Sequence, residues 1–324
     1  MQQLMNKLLD ASPRKVLRKL QHPSGPAVVS RSNGRGNTAG RAVEAATNRR
    51  FEGGQLKGFL PGFFVERDRH IAEILREVSD TGELRAEMLL AEELSKFDER
   101  VVEYPIALEY LLKAAAAGPI DILDVGCVLN NALMREYVAD AGRMIWFMNP
   151  SMEPSQYEKN VAFMLADMRN HQLPESLKFP LVTSFSTLEH IGMDNTRYGG
   201  DPKEFVDPPE HPESFAIEGT RSIAGLVAPG GTLLISVPYG VFEYVYTYGN
   251  LDDQIYYSFN AEMLLALERS LPEFEVSHSI YKVVPNRGWI ETDIEDRDFL
   301  KYADNCAAAG AIAFIEAKRV GPDV

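Results

Sequence analysis

Cysteine is scarce in this chain. Its 324 residues hold two, Cys127 and Cys306. Two thiols so far apart make neither a disulfide framework nor a CxxC metal spacing, and a reducing, cytoplasmic setting is the default. Long apolar runs are missing too. None approaches the roughly 18–20 residues of a membrane span, and the first residues lack the continuous apolar core of a secretory signal. A basic excess is also absent: the formal net charge is -14, so no nucleic-acid partner is expected, since such a footprint is basic. Aromatics are absent from one stretch, with none of the chain's Phe, Tyr or Trp before Phe51.

What is present divides unevenly. Residues 1–50 carry ten Lys/Arg against two Asp/Glu, and the remainder carries 23 against 45, a net of +8 followed by -22. A basic segment without aromatics buries little surface, so residues 1–50 read as a flexible tail ahead of an acidic, packed body. Within residues 1–21, Ser12 and Pro13 can open a short helix in which Val16, Leu17 and Leu20 share a face ringed by Arg14, Lys15, Arg18 and Lys19. Such a segment can make weak contact with an acidic membrane surface or serve as an organellar transit segment; a solvated terminus is the plainer reading. Residues 22–50 read as a Gly/Ser/Asn/Arg linker.

The body is ordinary globular material, the chain being 45% hydrophobic and 25% charged. Helical spacing runs over 64–78 (Ile71, Ile74, Leu75, Val78), 82–97 (Leu84, Met88, Leu89, Leu94) and 105–117, the last ended by Gly118-Pro119. Residues 51–118 thus read as a helical N-terminal extension packing on a domain that spans 119–324. After Pro119, short apolar runs alternate with helical stretches: IDILDV (120–125), MIWFM (144–148), VAFML (161–165), LVTSF (181–185) and TLLISV (232–237). Buried strands separated by helices indicate parallel βαβ units. FEVSHSIYKVV (274–284) and AIAFIEAKR (311–319) read as a C-terminal antiparallel pair with a long irregular stretch between them.

Ligands of an open parallel sheet sit at the carboxyl ends of its strands. There the sequence places Asp124-Val125-Gly126-Cys127-Val128-Leu129-Asn130-Asn131, then Asn149-Pro150, Asp167 with Arg169, STLEHIGMDNTRYGGD (186–201) and VPYG (237–240). A glycine turn leading into a helix presents backbone N–H groups to an anion. Four segments, ILDVGC, LADMRN, FSTLEHI and GLVAPGGTLLISVPYG, resemble in order and spacing the motifs of the class I S-adenosylmethionine-dependent methyltransferases over about residues 100–320. The resemblance implies an α/β, Rossmann-like fold with a mostly parallel seven-stranded sheet and a reversed last strand. It implies S-adenosylmethionine as cofactor. Gly126, Cys127 and Asn130 would shape the turn, Asp124 would meet the cofactor ammonium, Asn149 the ribose and Asp167 the adenine. Two departures stand out: Val128 and Asn130 replace the later glycines of the turn, and the acidic residue after the second strand is the amide Asn149, with Glu153 four residues on.

For chemistry, Glu189 and His190 lie where an acceptor would sit. Methyl transfer from a sulfonium needs proximity, alignment and, for a hydroxyl acceptor, a base; His190 suits that role, since imidazole titrates near neutrality. The pair also suits a structural or cofactor-facing element. Arg197 and Tyr198, with Asp194 and Asp201, lie in a polar loop that can grip an anionic or hydroxyl-rich acceptor or simply be solvated. Tyr239, with Tyr244, Tyr246, Tyr256 and Tyr257, can wall an acceptor pocket or pack in the core. His22, His70, His171, His211 and His278 show no ligand spacing, so no metal is expected. The expected activity is methyl transfer to a small-molecule or glycan-like acceptor. The EYPIALEYL segment (103–111) adds a fainter resemblance to methyltransferases of bacterial polysaccharide biosynthesis. The alternative is a non-catalytic binding module on a degenerate form of the same fold. A nicotinamide site is disfavoured because two of the three GxGxxG glycines are missing.

Overall fold

The computed structural model describes residues 62–193, 211–246, 254–293, 300 and 309–321. Expectations for residues 1–50, for the 51–61 turn region, for Asp194, Arg197, Tyr198 and Asp201, and for Cys306 lie outside the described residues. So does the side chain of Tyr246. Each of the five apolar runs forms a strand: β1 (Ile120–Val125), β2 (Gly142–Asn149), β3 (Val161–Leu165), β4 (Phe179–Phe185) and β5 (Val227–Pro238). A small hairpin, β6 (Tyr244–Tyr246) with β7 (Gln254–Tyr257), stands apart from the main sheet, whose last strands are β8 (Phe274–Val284), β9 (Gly288–Thr292) and β10 (Ala311–Arg319). The main sheet runs β3-β2-β1-β4-β5-β10-β8-β9. β1 to β5 are mutually parallel, and β10 is antiparallel to both β5 and β8.

This is the Rossmann-like, mostly parallel sheet with its last strand reversed, extended by one strand beyond seven. The eighth is β9, folded back on β8 through a turn in which Asn286 takes φ 60° and the Arg287 amide donates to the Val284 carbonyl at 3.0 Å. Gly288 then passes so close to the chain at 89–91 that a β-carbon there would stand 2.8 Å from the Ala91 amide nitrogen, at a φ of 91°. Only glycine meets both demands.

The strands are apolar on both faces because both faces are covered. Ile122, Phe147, Leu181 and Leu234 join a core with helices α1 (Phe63–Thr81), α2 (Arg100–Ala114) and α3 (Arg135–Ala141). Their neighbours Leu123, Met148, Val182 and Ile235 join the core beneath α4 (Pro212–Ala224) and α5 (Ala261–Arg269).

Two helical expectations are corrected. Residues 82–97 form two short 3-10 turns, Ala86–Leu89 and Glu92–Lys96, not a helix. Gly82 closes α1 in the left-handed region at φ 80°, and the step of five from Leu89 to Leu94 breaks the helical period. The third helix starts at Arg100 rather than at Pro105, which lies inside it. Pro105 supplies no amide to the helix ladder, but nearly every side chain around it is buried, so packing overrides the local penalty.

Candidate functional site

β1 and β4 are neighbours, while the chain leaves β1 toward β2 and β3 on one side and returns through β4 and β5 on the other. The crevice of such a sheet opens at this reversal. The glycine turn after β1 lies there. Gly126 takes φ 96° and Cys127 φ 61°, two consecutive left-handed residues. The Gly126 amide donates to the Met148 carbonyl at 2.8 Å, and a β-carbon at Gly126 would overlap the Thr187 side chain, with Cγ2 at 2.7 Å. Val128 is thereby spared left-handed geometry, which falls instead on Cys127. Among the described residues, the Cys127 and Val128 amides make no hydrogen bond.

Asp124 holds this turn from below. It is fully buried; Oδ2 accepts from the Leu129 amide at 2.8 Å and Oδ1 from the Thr183 hydroxyl at 2.7 Å. Burial pushes its carboxyl up to about 7 in spite of those bonds. The structure therefore shows Asp124 as a support for the loop. Cys127 is buried, and desolvation raises its thiol far above the usual range. Asn130 pins the segment after β2 onto the loop: its Nδ2 donates to the Pro154 carbonyl at 3.0 Å, and its Oδ1 accepts from the Gln156 amide at 2.9 Å. Asn131 caps the next turn, its Oδ1 accepting from the Leu133 and Met134 amides at 3.0 Å each.

Asn149 ends β2, and its Nδ2 donates to Glu153 Oε1 at 3.1 Å. Glu153 is half-buried; desolvation raises its carboxyl, partly offset by hydrogen bonds from Asn130 and Asn149. Two apolar side chains stand exposed beside this group, Met152 at 70% and Leu165 at 59%, and Leu165 pairs in register with Asn149. Asp167 caps the turn after β3, accepting from the Arg169 amide at 2.8 Å and pairing with its guanidinium at 2.5 Å. Partial burial raises its carboxyl, but the Arg169 contacts outweigh that and hold it below the usual range.

Glu189 and His190 share a 3-10 turn, Leu188–His190, yet they point to different surroundings. The His190 ring meets the edge of Tyr256 with centroids 5.4 Å apart. Glu189 is 2% exposed, and its Oε2 has no hydrogen-bond partner among the described residues. Burial raises its carboxyl well above the usual range, with Glu103 and Glu99 adding to the shift and Arg100 opposing it. Tyr257 anchors the same turn from β7, its hydroxyl donating to the Leu188 carbonyl at 3.3 Å or the Pro212 carbonyl at 3.2 Å. Tyr239 is buried in the core under α4 and α5, as the packing alternative has it, while Tyr244 and Tyr256 remain half-buried. Among the described residues no group of three or more His, Cys, Asp or Glu is arranged to hold a metal.

The motif reading did not single out Glu103, Ser186, Thr187 or Ser236. Ser186 follows β4 with φ 40°, a left-handed residue that is not glycine, a conformation that costs about 1–3 kcal/mol unless its surroundings enforce it. They do: its amide donates to the Ser236 carbonyl at 3.1 Å and to Ser236 Oγ at 3.0 Å. The signal for Glu103 was present, a carboxylate inside the apolar run VVEYPIAL.

No protein-family model and no curated protein sequence matches the chain. Solved structures do. One is 1,6-didemethyltoxoflavin-N1-methyltransferase of Burkholderia thailandensis, solved with 1,6-didemethyltoxoflavin and S-adenosylhomocysteine; it is 15% identical over 68% of this chain and 79% of its own, with TM-score 0.41. The N-methyltransferase NodS of Bradyrhizobium japonicum, with S-adenosylhomocysteine, is 11% identical over 70% and 95%, with TM-score 0.37. Magnesium protoporphyrin IX methyltransferase of Synechocystis, also with S-adenosylhomocysteine, is 12% identical over 67% and 82%, with TM-score 0.36.

Proposed function

We propose that this protein is an S-adenosylmethionine-dependent methyltransferase acting on a small-molecule or glycan-like acceptor. The observation that carries the reading is the layout at the reversal of the sheet. Two amides, of Cys127 and Val128, which make no hydrogen bond among the described residues, crown the left-handed turn, suited to the cofactor's carboxylate. Asn149 and Glu153 can hold ribose hydroxyls, Glu153 returning to this place the negative charge that Asn149 lacks. Met152 and Leu165 offer apolar surface for an adenine, with Asp167 at the edge. Bound, S-adenosylmethionine supplies a methyl group already activated on a sulfonium. The chain's part is then to align the acceptor and take its proton. His190, half-buried beside Tyr256, can take that proton, and Tyr244 and Tyr256 can pack an acceptor ring. The strongly acidic body disfavours polyanionic acceptors. Residues 1–50 contribute none of these groups, so deleting them should leave cofactor binding intact.

Calorimetry with S-adenosylhomocysteine tests the reading. Saturable binding is expected; no heat and no competition with S-adenosylmethionine at millimolar ligand would sink it. Val128 in the turn and the amide Asn149 favour the second reading, a binding module without turnover. A labelled-methyl assay over candidate acceptors separates the two, since any methylated product excludes the second.

A further inference from the structure

The turn that carries Glu189 and His190 is held from an unexpected direction. Glu103, on α2 and thus ahead of the sheet in the chain, is fully buried. Its Oε1 accepts from the Ser186 hydroxyl at 2.6 Å and from the Ser236 hydroxyl at 2.5 Å, while Oε2 is ion-paired with Arg100. Ser186 is the first residue beyond β4, and Ser236 lies near the end of β5. One carboxylate therefore ties the tips of two neighbouring strands to a helix. Ser236 closes the triangle by accepting the Ser186 amide. What the triangle fixes is a left-handed serine whose next residue, Thr187, rests on Gly126. The 3-10 turn with Glu189 and His190 follows at once.

We propose that Glu103 is a positioning residue of the candidate site: from α2 it clamps Ser186 and Ser236 and so sets the placement of the Thr187–His190 turn and the electrostatic surroundings of Glu189. The proposal rests on reading that turn as the seat of acceptor chemistry. The segment ahead of the sheet is then part of the working site and not only its cover. Among the described residues, the groups that act on Glu189 are Glu99 at the N-cap of α2, Arg100 and Glu103 from α2 and Tyr257 from β7. Glu103 is the member of that set that also holds the strand tips. Its charge adds to the upward shift that burial chiefly imposes on Glu189, and its hydrogen bonds keep the backbone of Ser186 in its left-handed form.

The experiment needs no acceptor. Amide hydrogen exchange over residues 186–191 and carboxyl titration of 13C-glutamate-labelled protein are followed in the wild type, Glu103→Ala and Glu103→Gln, with the Glu189 resonance assigned by its loss in Glu189→Gln. Glu103→Ala should lower protection of residues 186–191 at least tenfold while β1 and β2 amides keep theirs. Glu103→Gln can still accept from both serines but loses the charge and releases Arg100. It should therefore leave protection near wild type and move the Glu189 midpoint down while burial still holds it above the usual range, a shift that a purely structural role would not produce. Should Glu103→Ala not fold, the midpoint in Glu103→Gln decides alone. Unchanged protection in a folded Glu103→Ala, or an unmoved midpoint in Glu103→Gln, overturns the proposal. S-adenosylhomocysteine binding is measured on the same wild-type sample, so failure of the methyltransferase reading shows separately as an absence of binding.

Discussion

Thr187 and Gly126 are in such close contact that the Thr187 side chain fills the space where a β-carbon of residue 126 would lie, with Cγ2 2.7 Å from that point. The turn after β1 and the turn after β4 are thus one packed unit. The Thr187 hydroxyl strengthens it by donating to the Phe185 carbonyl at 2.7 Å, or to the Val125 carbonyl at 3.3 Å.

Gly126→Ala should therefore act on both turns. It meets a φ of 96° and the Thr187 overlap together. The expected loss is about 2–4 kcal/mol of stability, with S-adenosylhomocysteine affinity down by more than tenfold. Thr187→Ala in that background should recover part of the stability, since it removes the overlap with Cγ2 and the hydroxyl but not the backbone strain. Urea denaturation of the two variants checks this, and a double variant no more stable than the single would refute the contact.

The buried carboxyls set the sign of the pH dependence. Asp124 and Glu99 are each pushed up to about 7, chiefly by burial. Between about pH 4 and pH 7 the unfolded chain has released these protons and the native protein has not, so native binds more and stability falls as pH rises. The slope is about 1.4 kcal/mol per pH unit for each such proton. Urea midpoints should drop from pH 5 to pH 7.5. Asp124→Asn can keep an acceptor for the Leu129 amide and donate to a reoriented Thr183 hydroxyl, so its curve should be flatter by about one proton. A midpoint that rises with pH over this range would contradict the assignment.

Much of this frame was legible in the sequence because it rests on local pattern. The runs at 120–125, 161–165, 274–284 and 311–319 became strands over those same residues, and the glycine turn fell at the crevice. The eighth strand was not legible, since Gly288–Thr292 is short and is fixed by its approach to Ala91, a contact far off in sequence. Pro285, Asn286 and Gly288 marked its turn all the same. In the site, residue types at strand ends could be named, but not which way they face. Glu189 and His190 are adjacent yet look into different surroundings, and Tyr239 went to the core. Glu103 was marked by its apolar surroundings, but its partners Ser186 and Ser236 were not legible because they come from the far ends of other strands.

Glu153 should matter to cofactor affinity as much as any residue in the glycine turn. It stands 3.1 Å from the Asn149 amide, and a charged acceptor for a hydroxyl contributes about 1.5–3 kcal/mol. Glu153→Gln should weaken S-adenosylhomocysteine binding by about ten- to a hundredfold without loss of stability, because the glutamine is relieved of a half-buried charge. Asn149→Asp would set two carboxylates side by side and should weaken binding and stability together. Calorimetry and urea denaturation on the pair decide; an unchanged affinity in Glu153→Gln would remove Glu153 from the ribose site.

The neighbours Glu189 and His190 can be told apart by their neutral mimics. Glu189 is buried, and its carboxyl is held well above the usual range by burial first and by Glu103 and Glu99 after it. The shift favours its protonated form, which Glu189→Gln mimics. Turnover of an acceptor that supports methylation should change by no more than a few fold. His190→Gln removes the group proposed to take the acceptor's proton, so kcat should fall by about 10²–10⁴-fold. The affinity for S-adenosylhomocysteine should stay within about twofold in both variants, since neither side chain is assigned to the cofactor. If instead Glu189→Gln abolishes turnover and His190→Gln is mild, Glu189 takes the proton, and its raised midpoint must then govern the limb over which the rate rises with pH.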